Sequence, residues 1–240
     1  MTHKNNWVTI FLFNGEGTML KLLSKMLWVI LLLPVVVFAA DANAPITAGK
    51  EYQIIPPAAA NAPGVTAPPK GKIQVLEFFS YGCPWCFKFE PFLEAWLAQK
   101  PADVAFDRVP VVFEQNWDVY ARAYYTAKDL GVVDKITPAI FNAIQMQGAD
   151  LSNAATLSQF FVTQGVAAKD FDSAYNFSPG IDAQLMRSDN LMRAYGIVEI
   201  PTLVIDGKYR TSVRMTGGDN KRLLQVVDYL IAQERNALKK

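Results

Sequence analysis

Metal-binding and nucleophile-activating side chains are scarce in this chain: its 240 residues include two cysteines and a single histidine, His3. Cys83, Cys86 and His3 cannot supply four ligands to a structural zinc ion, and a thiol hydrolase needs a Cys–His pair that a trimmed N-terminus would not retain. Charge of one sign is also missing. With 23 basic and 22 acidic residues the net charge is +1, so nothing marks a nucleic-acid binder. There is no internal repeat and no charge block, and no residue pattern asks for a metal or a cofactor. What is present suits a folded protein. At 51% apolar residues the chain is too hydrophobic for disorder and long enough for one or two domains with a full core.

The apolar run Leu27–Ala40 (LWVILLLPVVVFAA) is fourteen residues long and broken by Pro34. A bilayer-spanning helix needs about 20. Lys21 and Lys25 precede the run. At its end, Val37-Phe38-Ala39 and Ala40-Asp41-Ala42 both offer small or permissive residues at the −3 and −1 positions of a signal-peptidase site. Residues 1–40 therefore read as a secretory signal peptide, with an uncleaved anchor as the alternative. Met19 would begin a more ordinary leader, which makes residues 1–18 an over-long start. Cleavage removes the only histidine.

Residues 41–72 are rich in Ala and Pro, including Pro56-Pro57 and Pro68-Pro69, and read as an extended lead-in segment in which Tyr52–Ile55 forms a short edge strand. Ile73–Phe79 (IQVLEFF) reads as a buried strand. A helix is expected from Pro84, its apolar face carrying Phe89, Phe92, Leu93, Trp96 and Leu97, with Pro91 kinking or splitting it. Val104–Val109 is a second strand, closed by Pro110. Helices follow over Trp117–Leu130, from Thr137-Pro138 to Gly148, from a Ser152 cap toward Gly165, over Phe171–Phe177, and over Asp182–Tyr195 before Gly196. Strands return at Thr202–Ile205 and Lys208–Thr211 around an Asp206-Gly207 turn, and Asp219 caps a last helix to about Leu238. The fold class is α/β, with a sheet unit over 73–112 and 187–240 interrupted by a helical insert over 113–186.

Cys83-Pro84-Trp85-Cys86 falls at a strand-to-helix junction. The first sulfur sits at the helix N-terminus, where free N–H groups and the helix dipole favour a thiolate. A low-pKa thiolate leaves easily and stabilises the reduced pair, so such a pair hands its disulfide to other proteins. Cys86, one turn on, is the resolving partner. A purely structural bridge is the alternative, although so short a loop constrains little unfolded-chain entropy. Pro84 and Trp85 form the loop between the sulfurs, with the Pro84 ring suited to the first helical turn. Ile200-Pro201-Thr202 precedes a strand. Either it is an ordinary trans turn, or it is a cis-proline loop facing the cysteines, where the Ile200 backbone pairs with an extended substrate segment. Glu77 lies inside an apolar strand and shares a face with Val75 and Phe79. Buried there, its raised pKa lets it exchange protons with Cys86; at an edge it would simply face water. Glu90 reads as a surface helix charge, with tuning of the cysteine pair as the lesser reading.

With these pieces in order, the sequence resembles the DsbA family of periplasmic thiol-disulfide oxidoreductases. The residues that carry the likeness are VLEFFSYGCPWC (Val75–Cys86), Glu90, the helical insert and EIPTLVIDGKY (Glu199–Tyr209), within roughly residues 49–235. The resemblance implies a thioredoxin-like fold interrupted by an inserted helical domain. It also implies donation of a disulfide to newly exported proteins with free thiols, in the periplasm, and reoxidation by a DsbB-like, quinone-linked membrane oxidase. By this likeness Cys83 is the exposed nucleophile, Cys86 the buried cysteine, Pro201 the cis-proline and Glu77 the buried acid, with Ile200 and Thr202 at the substrate site. Two positions depart from the family. Trp85 stands where many members carry His, which predicts a less acidic Cys83 and a weaker oxidant. The lysine that often pairs with the buried acid is missing near Phe106-Asp107-Arg108.

Rival readings are a disulfide isomerase or reductase of the same fold, and a peptide-binding chaperone whose cysteines are incidental. Isomerases of this fold add an N-terminal dimerisation domain for which residues 41–72 are too short. No oligomer interface is evident, so a monomer is the default, and no nucleic acid is implied.

Overall fold

A computed structural model describes residues 45–238; the signal-peptide reading falls on residues outside that range. Five strands form one mixed sheet. β1 (Gln53–Ile54), β2 (Ile73–Phe79), β3 (Val104–Pro110), β4 (Thr202–Ile205) and β5 (Tyr209–Ser212) lie in the order β1-β5-β4-β2-β3. β2 and β3 are parallel and the other pairs antiparallel. β2 lies between β4 and β3 and is buried at every position but Gln74, which is why its sequence is a nearly continuous apolar run. The β4–β5 connection has positive φ at both Asp206 (53°) and Gly207 (65°), and Lys208 N–H bonds to the Ile205 carbonyl. This is the type I′ geometry that an Asp-Gly pair favours.

Helix α1 (Pro84–Leu97) follows β2, and α7 (Asn220–Ala237) closes the chain, capped by the Asp219 carboxylate accepting from Lys221 and Arg222 N–H. Both pack on one sheet face, where Val75, Leu203 and Ile205 meet Phe89, Leu93, Val226 and Leu230. Between β3 and β4 run α2 (Trp117–Asp129), α3 (Val133–Gln145), α4 (Ala154–Thr163), α5 (Ala168–Phe177) and α6 (Pro179–Ala194). α6 passes through the expected insert boundary at 186–187. Its C-terminal part, Leu191 to Tyr195, covers the other sheet face against Leu76, Phe78, Val109 and Val204. The remaining helices share a core with Phe79, Tyr81 and both cysteines.

Several boundaries differ from expectation. The lead-in segment is not extended throughout: Pro57–Asn61 is a 3-10 turn, and the edge strand shrinks to two residues. α1 runs unbroken through Pro91, and α3 begins at Val133, four residues before the expected Thr137 cap, with Pro138 inside it. Both prolines lie on exposed helix faces, whereas Ile136 and Thr137 are buried. Burial of that first turn outweighs one lost hydrogen bond at the proline. α4 is capped by Asn153, not Ser152, through its side chain accepting from Thr156 N–H; Ser152 bonds to Asp150 instead. α5 and α6 each begin three residues earlier than expected.

Candidate active site

β2 ends at Phe79, and four residues later Cys83 is the N-cap of α1, with extended backbone (φ −88°, ψ 113°). Its Sγ accepts a hydrogen bond from Cys86 N–H at 3.2 Å. Pro84 occupies the first helical position, where no N–H is required. Both thiols are unbonded in this structure. Cys83 is 4% exposed and Cys86 fully buried, so the first sulfur is far less open than the word nucleophile suggests. The apolar contacts of the insert core close around it, while Trp85 beside it is 57% exposed. The two sulfurs are pushed in opposite directions. Hydrogen bonding from the Cys86 thiol, and from the backbone N–H groups of Cys86 and Trp85, holds Cys83 below the ordinary thiol range against the effect of burial. Burial raises Cys86 well above that range, and the neighbouring Cys83 and Glu77 charges add to the effect.

The Ile200–Pro201 peptide bond is cis, and the Ile200 carbonyl lies 3.8 Å from Cys83 Sγ. A groove of about 510 Å³ opens beside it, lined by Trp85, Glu199, Ile200, Pro201, Val213 and Arg214. Thr202 is buried, and its hydroxyl donates to the Glu199 carbonyl at 2.7 Å. Its side chain therefore closes the proline loop from within.

Behind Cys86 lies a cluster of buried charge. Glu77 is 1% exposed, and the parallel β2–β3 register sets it opposite Arg108. Arg108 Nε comes within 2.9 Å of Glu77 Oε2 but out of line for a hydrogen bond, so both Glu77 oxygens lack one. The same guanidinium holds Glu90 and, at 3.1 Å, Glu94. Glu90 is therefore buried, not a surface charge, because α1 turns it to the same side as Cys86, Phe89 and Leu93. The missing lysine has a substitute: Arg108 stands within the stretch where that lysine was sought. An arginine supplies the same charge as a lysine, and counting both strands from their paired first residues, Ile73 and Val104, puts Glu77 across from Arg108.

One cation faces three carboxylates. Burial pushes Glu77 up to about 8, with Arg108 opposing. Glu90 rises to about 7 for the same reason. Burial alone would lower Arg108, but the Glu77 and Glu90 carboxylates outweigh it and keep the guanidinium charged. Near neutral pH the cluster thus retains a carboxyl proton next to Cys86. Among the described residues, no three His, Cys, Asp or Glu side chains are placed to hold a metal ion together.

This arrangement of two cysteines, an inserted helical block and a proline loop can be compared with known proteins. The family model of the DSBA-like thioredoxin domain matches residues 103–230. The chain is 37% identical over 185 residues to the thiol:disulfide interchange protein DsbA of Burkholderia cepacia, covering 77% of this chain and 84% of that one. It is 40% identical over 167 residues to the protein of the same name from Azotobacter vinelandii, covering 70% and 77%. The chain belongs to the DsbA family. The crystal structure of Pseudomonas aeruginosa DsbA superposes with a TM-score of 0.72 at 36% identity, over 81% of this chain and 97% of that one. DsbA from Xylella fastidiosa gives 0.70 at 34% identity, over 80% and 98%. This DsbA-family protein is a protein thiol:disulfide oxidoreductase, and its architecture is a thioredoxin fold with an inserted helical domain.

Proposed function

We propose that the protein is a disulfide donor: oxidised Cys83–Cys86 is passed to exported proteins with free thiols. The observation that carries this reading is the unequal environment of the two sulfurs. A thiolate at Cys83 is favoured by the Cys86 thiol and by N–H groups at the start of α1, which stabilises the reduced pair and makes its disulfide oxidising. A substrate thiolate attacks Cys83 Sγ and breaks the Cys83–Cys86 bond, forming a mixed disulfide. Cys86 leaves into surroundings that disfavour its charge and takes up a proton, with the Glu77 carboxyl as its source. A second substrate thiolate then attacks the substrate sulfur and releases Cys83 as a thiolate, with two electrons left on the enzyme. The groove beside cis-Pro201 receives the substrate segment along the Ile200 backbone.

The reading includes export to the periplasm, action as a monomer and reoxidation by a DsbB-like membrane oxidase. The signal-peptide pattern of residues 1–40 supports the first of these. No helix among the described residues is long and apolar enough to cross a membrane. The deciding experiment is the equilibrium of the Cys83–Cys86 pair with glutathione. A pair that stays reduced until the buffer is strongly oxidising supports the donor. One that keeps its disulfide in reducing buffer would point to a reductase or a structural bridge. Full complementation in the cell by Cys83→Ala would point to a chaperone.

A further inference from the structure

The segment that carries Cys83 away from the sheet, Ser80-Tyr81-Gly82, has few bonds of its own. Cys83 N–H donates to the Ser80 carbonyl at 3.1 Å and Gly82 N–H to Ser80 Oγ at 3.2 Å. Ser80 N–H reaches the Cys86 thiol, and further polar anchors come from the helical insert. Gln145, the last residue of α3, donates from Nε2 to the Tyr81 carbonyl at 2.8 Å. The Tyr81 hydroxyl pairs with Thr137 Oγ1 of α3 at 3.0 Å in a fully buried contact. The indole of Trp117, first residue of α2, lies so close over Gly82 that a Cβ there would collide with it. The Tyr81 ring is wedged edge-on between Phe79 and Phe141.

From this we infer that Gln145 and Thr137, with Trp117, are positioning residues for the reaction: the insert holds the Tyr81-Gly82 segment so that Cys83 Sγ stays on the N-terminus of α1. The inference rests on Cys83 being the nucleophile. The hydrogen bonds of the sulfur itself are with the Ile200 carbonyl, the Cys86 thiol and N–H, and the Trp85 N–H, not with any of the three. The support that a helix start gives an anion fades within one turn and needs good hydrogen-bond alignment. The Cys83 Sγ to Cys86 N–H bond is 3.2 Å long, so slack in the two residues before it loosens that contact directly. The insert therefore sets the stability of the thiolate without contributing a group to it. A clamp of this kind predicts a shift in thiol acidity, not only in melting temperature.

The test is a thiolate absorbance titration of Cys83 and a glutathione equilibrium on the purified exported protein, for the parent and three variants. Gln145→Met keeps the length and removes the donor, Thr137→Val keeps the shape and removes the hydroxyl, and Thr137→Ser restores it. Loss of one such bond is expected to raise the Cys83 pKa by about half a unit. It should also move the equilibrium roughly threefold toward the protein disulfide, while Thr137→Ser matches the parent. Gln145 is only half-buried, so its variant decides the question even if Thr137→Val fails to fold. Unchanged acidity and equilibrium in Gln145→Met, whatever its melting temperature, overturns the inference alone. An ordinary thiol pKa for Cys83 in the parent overturns both it and the assignment of the nucleophile.

Discussion

Cys83 and Cys86 are three residues apart at the start of one helix, and their surroundings differ in what they do with charge. On the Cys83 side, the Cys86 thiol and the backbone N–H groups at the beginning of α1 hydrogen-bond to the sulfur, with no charged side chain among its supports. On the Cys86 side, the sulfur lies in the core, and beyond it one guanidinium is shared among three carboxylates. Backbone dipoles are fixed by the helix and cost no further ordering. Ionised side chains must be stripped of water before they can act. The front of the site therefore holds a negative charge cheaply, while the back holds protons because it cannot hold so much negative charge.

The strongest way to break this contrast is to remove the cation at the back. Arg108→Met should cost about 3–5 kcal/mol at pH 8, since it leaves Glu77 and Glu90 buried with no counter-charge. At pH 5, where both carboxyls are protonated, the loss should be much smaller. Urea denaturation at the two pH values checks both halves.

Glu77→Gln sharpens the contrast from the same side. The folded-state pKa values of Glu77 and Glu90 lie above those of the unfolded chain, so the native protein binds extra protons between roughly pH 4.5 and 8. Stability from these groups is complete below that window and declines as pH rises through it. The glutamine variant should flatten the decline by on the order of 1–3 kcal/mol in the same denaturation series. It should also slow Cys86 protonation in stopped-flow mixing with a dithiol substrate.

At the front, Trp85→His adds a cation to a site that relies on the Cys86 thiol and backbone donors. The Cys83 pKa should fall by about one unit, corresponding to about 1.4 kcal/mol, read from thiolate absorbance at 240 nm. An unchanged value would mean that the Cys86 thiol and the helix terminus set the acidity without help from position 85. The smallest effect is expected from Lys88→Gln. Lys88 Nζ sits 4.4 Å from the centroid of the exposed Trp85 ring, and losing it should destabilise the loop by about 0.5–1 kcal/mol. Thermal unfolding measures that loss, and a Trp85→Ala background should abolish it.

Much of this site is legible along the chain because its determinants are local. The strand at Ile73–Phe79, the Pro84 helix start, the Asp206-Gly207 turn and the Cys83–Cys86 spacing each depend on a few neighbouring residues. The burial of Glu77 also follows from an acidic residue standing inside an apolar strand. Glu90 and Arg108 are different. Glu90 looks like any helix-surface charge until α1 is docked on the sheet, and Arg108 becomes a partner only through the pairing of two strands about thirty residues apart. The start of α3 was hidden by Pro138, whose usual place at a first turn is overridden by the burial of Ile136 and Thr137.

The sequence by itself determined the α/β order, the split of the sheet unit by helices, and the placing of one sulfur at a helix start with the other a turn inside. These follow from periodicity, caps and turn residues acting over a few positions. Only the tertiary structure decided which charges share the space behind Cys86, how little of Cys83 is exposed, and that the insert grips the two residues before it. Those features depend on register and docking between segments far apart in the chain, and desolvation acts only where the packed elements exclude water.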